Sequence, residues 1–418
     1  MNLPKLAFAN LRASPLTSLV NVLLLGLGTA SIVLLMLIGD QFASTLARDA
    51  RGIDLVLGAK GSPVQLVLSS VYHADIPTGN IPQAEADRWA ADPRVEKAIP
   101  LSLGDSFRGF RIVGTTPDYA ALYQAQLGDG RYWNAPMEAV AGAAVAREAK
   151  LAPGSILAGA HGLVGGGHEH AGHPYHVVGV LAPTGTVLDR LILTSLDSVW
   201  KLHEEEHHEH EHEGEDHDAG HHEDHDEDRE HEEASSGDRE ITAMLLSYTS
   251  PLAATSLPRQ INMESRLQAA APAFELSRLL QLVGLGLDGL RAFAAVLILT
   301  AGLSVFAALY GALKARRFDL AMLRCLGATR FELLLSLLLE GLMLAALGAL
   351  LGFALGHGAM ELLGRWLHSA RGVSASGWVW LSSETLLLIG LLIVGLLASA
   401  LPAWQAYRAD VARTLAQG

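Results

Sequence analysis

Four apolar stretches, none holding a lysine or arginine, constrain this chain more than any other feature. They run from Leu16 to Ile38, Ala292 to Leu313, Leu333 to Leu355, and Leu386 to Leu401, with small residues extending the last toward residue 406. A bilayer core takes ~20 consecutive apolar residues as a helix. The sequence therefore predicts a polytopic α-helical membrane protein with four spans. A mean hydropathy of +0.28 over 418 residues fits that class. Between the first and second spans lies a long stretch of ordinary globular composition.

Basic residues in short loops mark the cytoplasmic side. Lys5 and Arg12 precede the first span, and Arg408 and Arg413 follow the fourth. Between the second and third spans lie Lys314, Arg316, Arg317, Arg324 and Arg330, against only Arg365 and Arg371 before the fourth. Both termini and the loop 314–331 are thus expected inside. The expected domains are an N-terminus and first span over 1–40, an outer domain over 41–280, and a membrane domain over 281–418. The last holds spans at 292–313, 333–355 and 386–406. The first apolar run is longer than a signal-peptide core and no clear cleavage site follows, so it reads as a retained span.

The outer domain alternates short β-like runs with turns and short helices. Examples are Phe110–Val113, His176–Leu181 and Leu191–Thr194, with Gln83–Ala91 and Ala141–Lys150 as helical pieces. This is an α+β pattern. From His203 to Glu233 it gives way to His, Glu, Asp and Gly, a composition that cannot bury a core and predicts a disordered insert. That insert carries 17 acidic residues and one Arg, hence −16 of the chain's formal −14, and leaves the rest slightly basic.

Ten histidines sit in the insert: His203, His207, His208, His210, His212, His217, His221, His222, His225 and His231. His161, His168, His170, His173 and His176 cluster upstream. Imidazole and carboxylate are good ligands for zinc and similar divalent ions. A flexible tract suits capture or sensing, at a cost in ordering entropy. The tract, with His168, His170 and His173, is thus a candidate divalent-metal site. The plain alternative is a solvated acidic loop. His203-Glu-Glu-Glu-His207 matches the metalloprotease signature, but that motif needs an ordered helix and a third ligand, and here the context is low-complexity. The single cysteine, Cys325, excludes an internal disulfide.

The loop after the second span reads Arg316-Arg317-Phe318-Asp319-Leu320-Ala321-Met322-Leu323-Arg324-Cys325-Leu326-Gly327-Ala328-Thr329-Arg330, and Glu340 follows within the third span. It resembles the cytoplasmic loop of the MacB/FtsX-type ABC permeases, an R-R-x-E-[IL]-A-[LM]-L-R-A-L-G-A-[ST]-R pattern followed by a membrane Glu. The ending Leu401-Pro402-Ala403-Trp404 through Leu415 is similar to that family's ending. Ile112-Val113-Gly114-Thr115 and His176-Val177-Val178-Gly179 look like its outer-domain strands. Asp319 stands where Glu is usual and Val411 where Pro is usual. The resemblance covers nearly the whole chain and implies that a helix in the loop couples to a separate ATP-binding subunit. Arg316, Arg317, Phe318, Leu320, Met322, Leu323, Arg324 and Gly327 would form that coupling element. The residues alone allow either an amphipathic docking helix or a basic loop at lipid headgroups.

No Gly-x-x-x-x-Gly-Lys-Ser/Thr occurs, so ATP hydrolysis is expected in a partner and not in this chain. Glu340 is either a functional membrane carboxylate or a packing hydrogen-bond group. Gly348, Gly352 and Gly356 share a helix face and permit close helix approach, within the subunit or across a homodimer. The expected partners are an ATP-binding subunit, a second permease copy, and a periplasmic metal-binding protein or lipoprotein; nucleic acid is not among them. The expected function is an inner-membrane ABC permease subunit linked to divalent-metal handling or export. Two alternatives are a non-transporting mechanotransmitter that regulates a periplasmic enzyme or lipoprotein, and a passive metal-binding receptor.

Overall fold

The four apolar stretches form helices longer than the stretches themselves. In the computed structural model, which describes residues 3–161, 173–202, 239–315, 322–371 and 375–408, these helices are Pro15–Asp49, Pro272–Ala315, Arg330–Arg371 and Ser382–Arg408. Each contains a window apolar enough to cross a bilayer. At 1.5 Å per residue the 35-residue first helix is about 52 Å long, well beyond the ~30 Å hydrocarbon layer. Two units result: Met1–Phe42 with Gln281–Gly418, and Ala43–Leu280.

The membrane unit is held by an apolar interior and by missing side chains. Leu25, Val33, Leu37, Ile298, Val305, Leu344 and Leu391 form one buried cluster. Leu19, Leu23, Leu27, Leu299 and Leu303 are exposed on the spans, as lipid-facing positions must be when no water is present to penalise them. A Cβ at Gly348 would meet Leu25 at 2.6 Å, and one at Gly352 would meet the Gly26 carbonyl at 2.8 Å. One at Gly356 would meet Val33 at 2.8 Å. The glycine stripe therefore lies against the first span of the same chain, where small residues let backbones approach. An amphipathic helix, Leu3–Ala13, precedes the first span and buries Ala7 and Leu11.

The outer unit is built on an 11-stranded mixed sheet. Nine strands follow in the order Leu267–Ala270, Leu55–Ala59, Ala243–Tyr248, Val95–Phe107, Phe110–Gly114, Leu191–Thr194, Glu138–Ala141, Tyr175–Leu181, Leu127–Gly130, while Ile156–Leu157 pairs with 175–181 and Ala160–His161 with 95–107 beside that path. The pairings of 191–194 with 110–114 and of 138–141 with 175–181 are parallel. Val95–Phe107 links the two halves, pairing first with 243–248 and then, from Ser102 on, with 110–114 in a register interrupted between Leu103 and Ser106.

Alternation along the strands feeds separate cores on the two faces. Val56, Val113, Leu191 and Leu193 enter one cluster. Leu55 and Leu57 enter a second with Leu257 and Ile261 of the helix Ala253–Glu264, and Ile112 and Ile192 enter a third. The helix Pro63–Ser70 opens with Ser62 accepting from the Gln65 N–H and with Pro at its first position, a start signal the sequence carried.

Candidate functional site

Three places bring chemistry-bearing side chains together. The first is the inner loop. Its described part begins with a helical turn over 322–325, closed by the Leu326 N–H to Met322 O at 3.0 Å and the Ala328 N–H to Leu323 O at 3.0 Å. Gly327 has φ of +102°, a conformation that ends a helix and that glycine adopts without strain. Thr329 and Glu332 then cap the third span reciprocally: the Thr329 N–H donates to Glu332 Oε2 at 2.8 Å, and the Glu332 N–H to Thr329 Oγ1 at 3.2 Å. Met322, Leu326 and Phe331 are exposed, Leu326 by 82%. Leu323 and Arg324 are half-buried. Arg316, Arg317, Phe318 and Leu320 lie outside the described residues.

The second place is the root of the first span, where the outer unit holds the end of the helix Pro15–Asp49. The last carbonyls of a helix have no partner within it. Here Tyr72 Oη donates to Leu46 O at 3.2 Å and Tyr123 Oη to Asp49 O at 2.6 Å. The Val187 N–H donates to Asp49 Oδ1 at 2.9 Å. Tyr119 packs edge-on against Tyr123 with ring centroids 5.6 Å apart, and its hydroxyl meets His73 Nε2 at 2.9 Å. Burial, reinforced by the nearby Arg111, pushes the His73 imidazole down to about 3, so the ring is neutral at any physiological pH. Sequence reading missed this cluster, because the groups are dispersed from residue 46 to 187 and converge only when the sheet forms.

The third place is the outer rim of the membrane unit. His357 Nδ1 lies 2.6 Å from Gly377 O, and Nε2 lies 3.2 Å from Glu384 Oε2. Glu384 is fully buried. A carbonyl only accepts, so Nδ1 must carry a proton. Gln41 brackets the same segment, with its Nε2 donating to Ser376 O at 2.7 Å and its Oε1 accepting from the Ser376 N–H at 2.9 Å. Glu384 was legible only as a charged residue just before an apolar run.

Elsewhere, Glu340 is 4% exposed and accepts a 3.4 Å hydrogen bond from Asn10 Nδ2. His173 and His176 are exposed. His168, His170, His203, His207, His208, His210, His212, His217, His221, His222, His225 and His231 lie outside the described residues. Among the described residues no three His, Cys, Asp or Glu side chains converge as a metal would require.

Comparison with known proteins places both halves of the chain. An FtsX-like permease C-terminal model matches residues 291–411, and a MacB-like periplasmic core domain model matches residues 18–218. The periplasmic region of MacB from Actinobacillus actinomycetemcomitans is 12% identical, spans 55% of this chain and 95% of its own, and superposes with a TM-score of 0.33. The extracellular domain of the ABC-type transporter YknZ from Gram-positive bacteria is 12% identical, spans 51% and 98%, and has a TM-score of 0.30. Those two superpositions are too distant to add weight. No curated protein sequence matches the chain. The two family models and the one-plus-three topology agree on a multi-pass inner-membrane protein with a periplasmic domain. The chain belongs to the MacB/FtsX-type ABC transporter permeases.

Proposed function

We propose that this permease couples ATP hydrolysis in a separate ATP-binding subunit to movement of its periplasmic domain, in an assembly with two permease copies. The continuity of the helices carries the reading. Pro15–Asp49 and Pro272–Ala315 each run unbroken from the membrane unit into the periplasmic unit. Movement applied to a rigid helix at one end reaches the other. On the inside, Met322, Leu326 and Phe331 offer an exposed apolar surface beside basic residues, as a docked partner requires. Glutamate or serine there would be expected in a loop that only met water.

The test is co-purification of the full chain with its co-expressed ATP-binding subunit. Replacing Met322, Leu326 and Phe331 together with Ser should abolish association, while each replacement changes stability by no more than about 0.5 kcal/mol, as for surface substitutions. Retained association would overturn the docking surface. A wild-type chain that never associates with any such subunit would leave the passive receptor standing instead.

The His-rich tract supports a link to zinc or another divalent ion, as cargo, signal, or ligand of a periplasmic partner. Zinc stoichiometry of the full chain, with and without residues 203–233, tests it; equal binding rejects the tract as the site. A second reading, force transmission without transport, is favoured by the packing between spans. Leu25, Val33, Ile298 and Leu344 fill the bundle interior with apolar side chains, which leaves the first and third spans in direct contact. ATP-dependent zinc flux into vesicles would exclude it.

A further inference from the structure

At the outer ends of the third and fourth spans lies a cavity of about 810 Å³. Its volume falls within the ~300–1,000 Å³ that encloses one small amphipathic ligand. One wall is the helix Arg330–Arg371, through Leu355, Gly358 and Leu362; the other is the segment with Trp378, Val379 and Trp380. The wall is fixed and not a chance gap. Glu361 Oε2 accepts from the Gly377 N–H at 3.1 Å, and His357 Nδ1 holds the carbonyl of the same residue. Trp380 stacks nearly parallel on the His357 ring, 5.8 Å between centroids.

The position and the charges select the ligand. Trp366, Trp378 and Trp380 are all exposed, Trp378 by 87%, at the ends of two spans. Tryptophan there marks headgroup level, with the apolar ring toward the acyl region. Glu361 spends its carboxylate on Gly377 and on Arg365 Nε at 3.1 Å, while the Arg365 side chain stays 74% exposed. A planar guanidinium is suited to a phosphate oxygen pair. An apolar trough at this depth, with a cation at its rim, matches a lipid.

We propose that this cavity binds one anionic glycerophospholipid of the outer leaflet. An acyl chain lies against Leu355, Leu362 and Val379, and the phosphate meets Arg365. This site stands whether or not the ATPase coupling proposed above is right, because it uses none of the inner loop.

The full chain in nanodiscs tests it by tryptophan quenching, comparing brominated phosphatidylglycerol with brominated phosphatidylcholine at equal mole fraction. Trp378 is isolated as the difference from Trp378→Phe. Phosphatidylglycerol should be enriched at Trp378 by about fivefold, the worth of one basic residue at an anionic lipid. Arg365→Gln should remove the enrichment, and Arg365→Lys, which keeps the charge but not the planar fork, should retain only part of it. Gly358→Phe should remove quenching by both lipids at Trp378; a Cβ at Gly358 meets no atom within 4 Å, so the ring fills the cavity and not the helix contact. Equal quenching by the two lipids overturns the proposal. So does a wild-type Trp378 shielded from both, which would mean that a protein segment, a second copy included, occupies the cavity.

Discussion

The two units of this permease bury polar groups in opposite ways. In the periplasmic unit the buried imidazole, His73, is neutral, and hydroxyls donate to backbone carbonyls around it. In the membrane unit the part-buried imidazole of His357 meets a fully buried carboxyl, Glu384, at 3.2 Å. The difference follows from the surroundings. A domain in water can surrender a proton and keep a neutral group hydrogen-bonded. A carboxyl with no exposed surface has no water to replace a lost partner, so Glu384 depends on the imidazole beside it.

The sharpest way to break that contrast is to remove one member of the membrane pair. His357→Leu leaves Glu384 buried without a partner, and stranding one half of such a pair costs about 3–5 kcal/mol. The double substitution His357→Leu with Glu384→Leu should recover most of this, since two apolar groups need no partner. Unfolding of the full chain in detergent, read as a double-mutant cycle, measures it. If the double variant is as unstable as the single, the pair is not a coupled unit.

How much of this was written in the sequence differs between the units. The spans were legible because hydropathy is a property of a local window, and the inside loop because its charges and motif are contiguous. The partner of the Gly348, Gly352 and Gly356 stripe was not legible: periodicity shows which face is bare, not which helix fills it. His357 and Glu384 lie in different helices, and each alone resembles a helix-end polar residue. Pro63–Ser70 carried a Ser-Pro start signal, and the apolar run before it forms the strand Leu55–Ala59. The tyrosines around Asp49 are scattered over three loops and helices, so only the fold identifies them.

The periplasmic side of the contrast is sharpened by pH. His73 holds its folded pKa near 3 against an unfolded value of 6.5, with Arg111 and the Tyr119 hydroxyl as the groups that face it. Above pH 6.5 both states are neutral there, and the group contributes no pH dependence. As pH falls below 6.5 the unfolded chain takes up a proton that the folded chain refuses, so stability is lost down to about pH 3. Between pH 7 and 5 the loss from this one residue is about 2 kcal/mol. Hydrogen exchange of the strand Val95–Phe107 in the full chain should show it. His73 has φ of +51°, which Asn tolerates best among side-chain-bearing residues. His73→Asn should therefore fold and remove this part of the slope. An unchanged slope would mean that the ring is already charged.

The most local effect tests how the periplasmic unit holds its helix. Tyr123→Phe strands the Asp49 carbonyl, whereas Tyr72→Phe leaves the Leu46 carbonyl with the Ala50 N–H at 3.1 Å. An unmade buried hydrogen bond costs about 1–3 kcal/mol. Tyr123 should fall within that range and Tyr72 below it, because the Leu46 carbonyl keeps a partner and its bond to Tyr72 is the longer, 3.2 against 2.6 Å. The loss should be local. Amides of residues 43–49 should exchange faster, while those of the strand Leu191–Thr194 keep their protection. In reconstituted complexes the ATP-dependent movement proposed for the periplasmic domain should weaken in the same order, because a frayed helix end transmits less of any displacement. If both variants leave exchange over 43–49 unchanged, the tyrosine hydroxyls do not clamp the helix. The joint would then rest on the apolar contacts of Ala50 and Ile53 with the core.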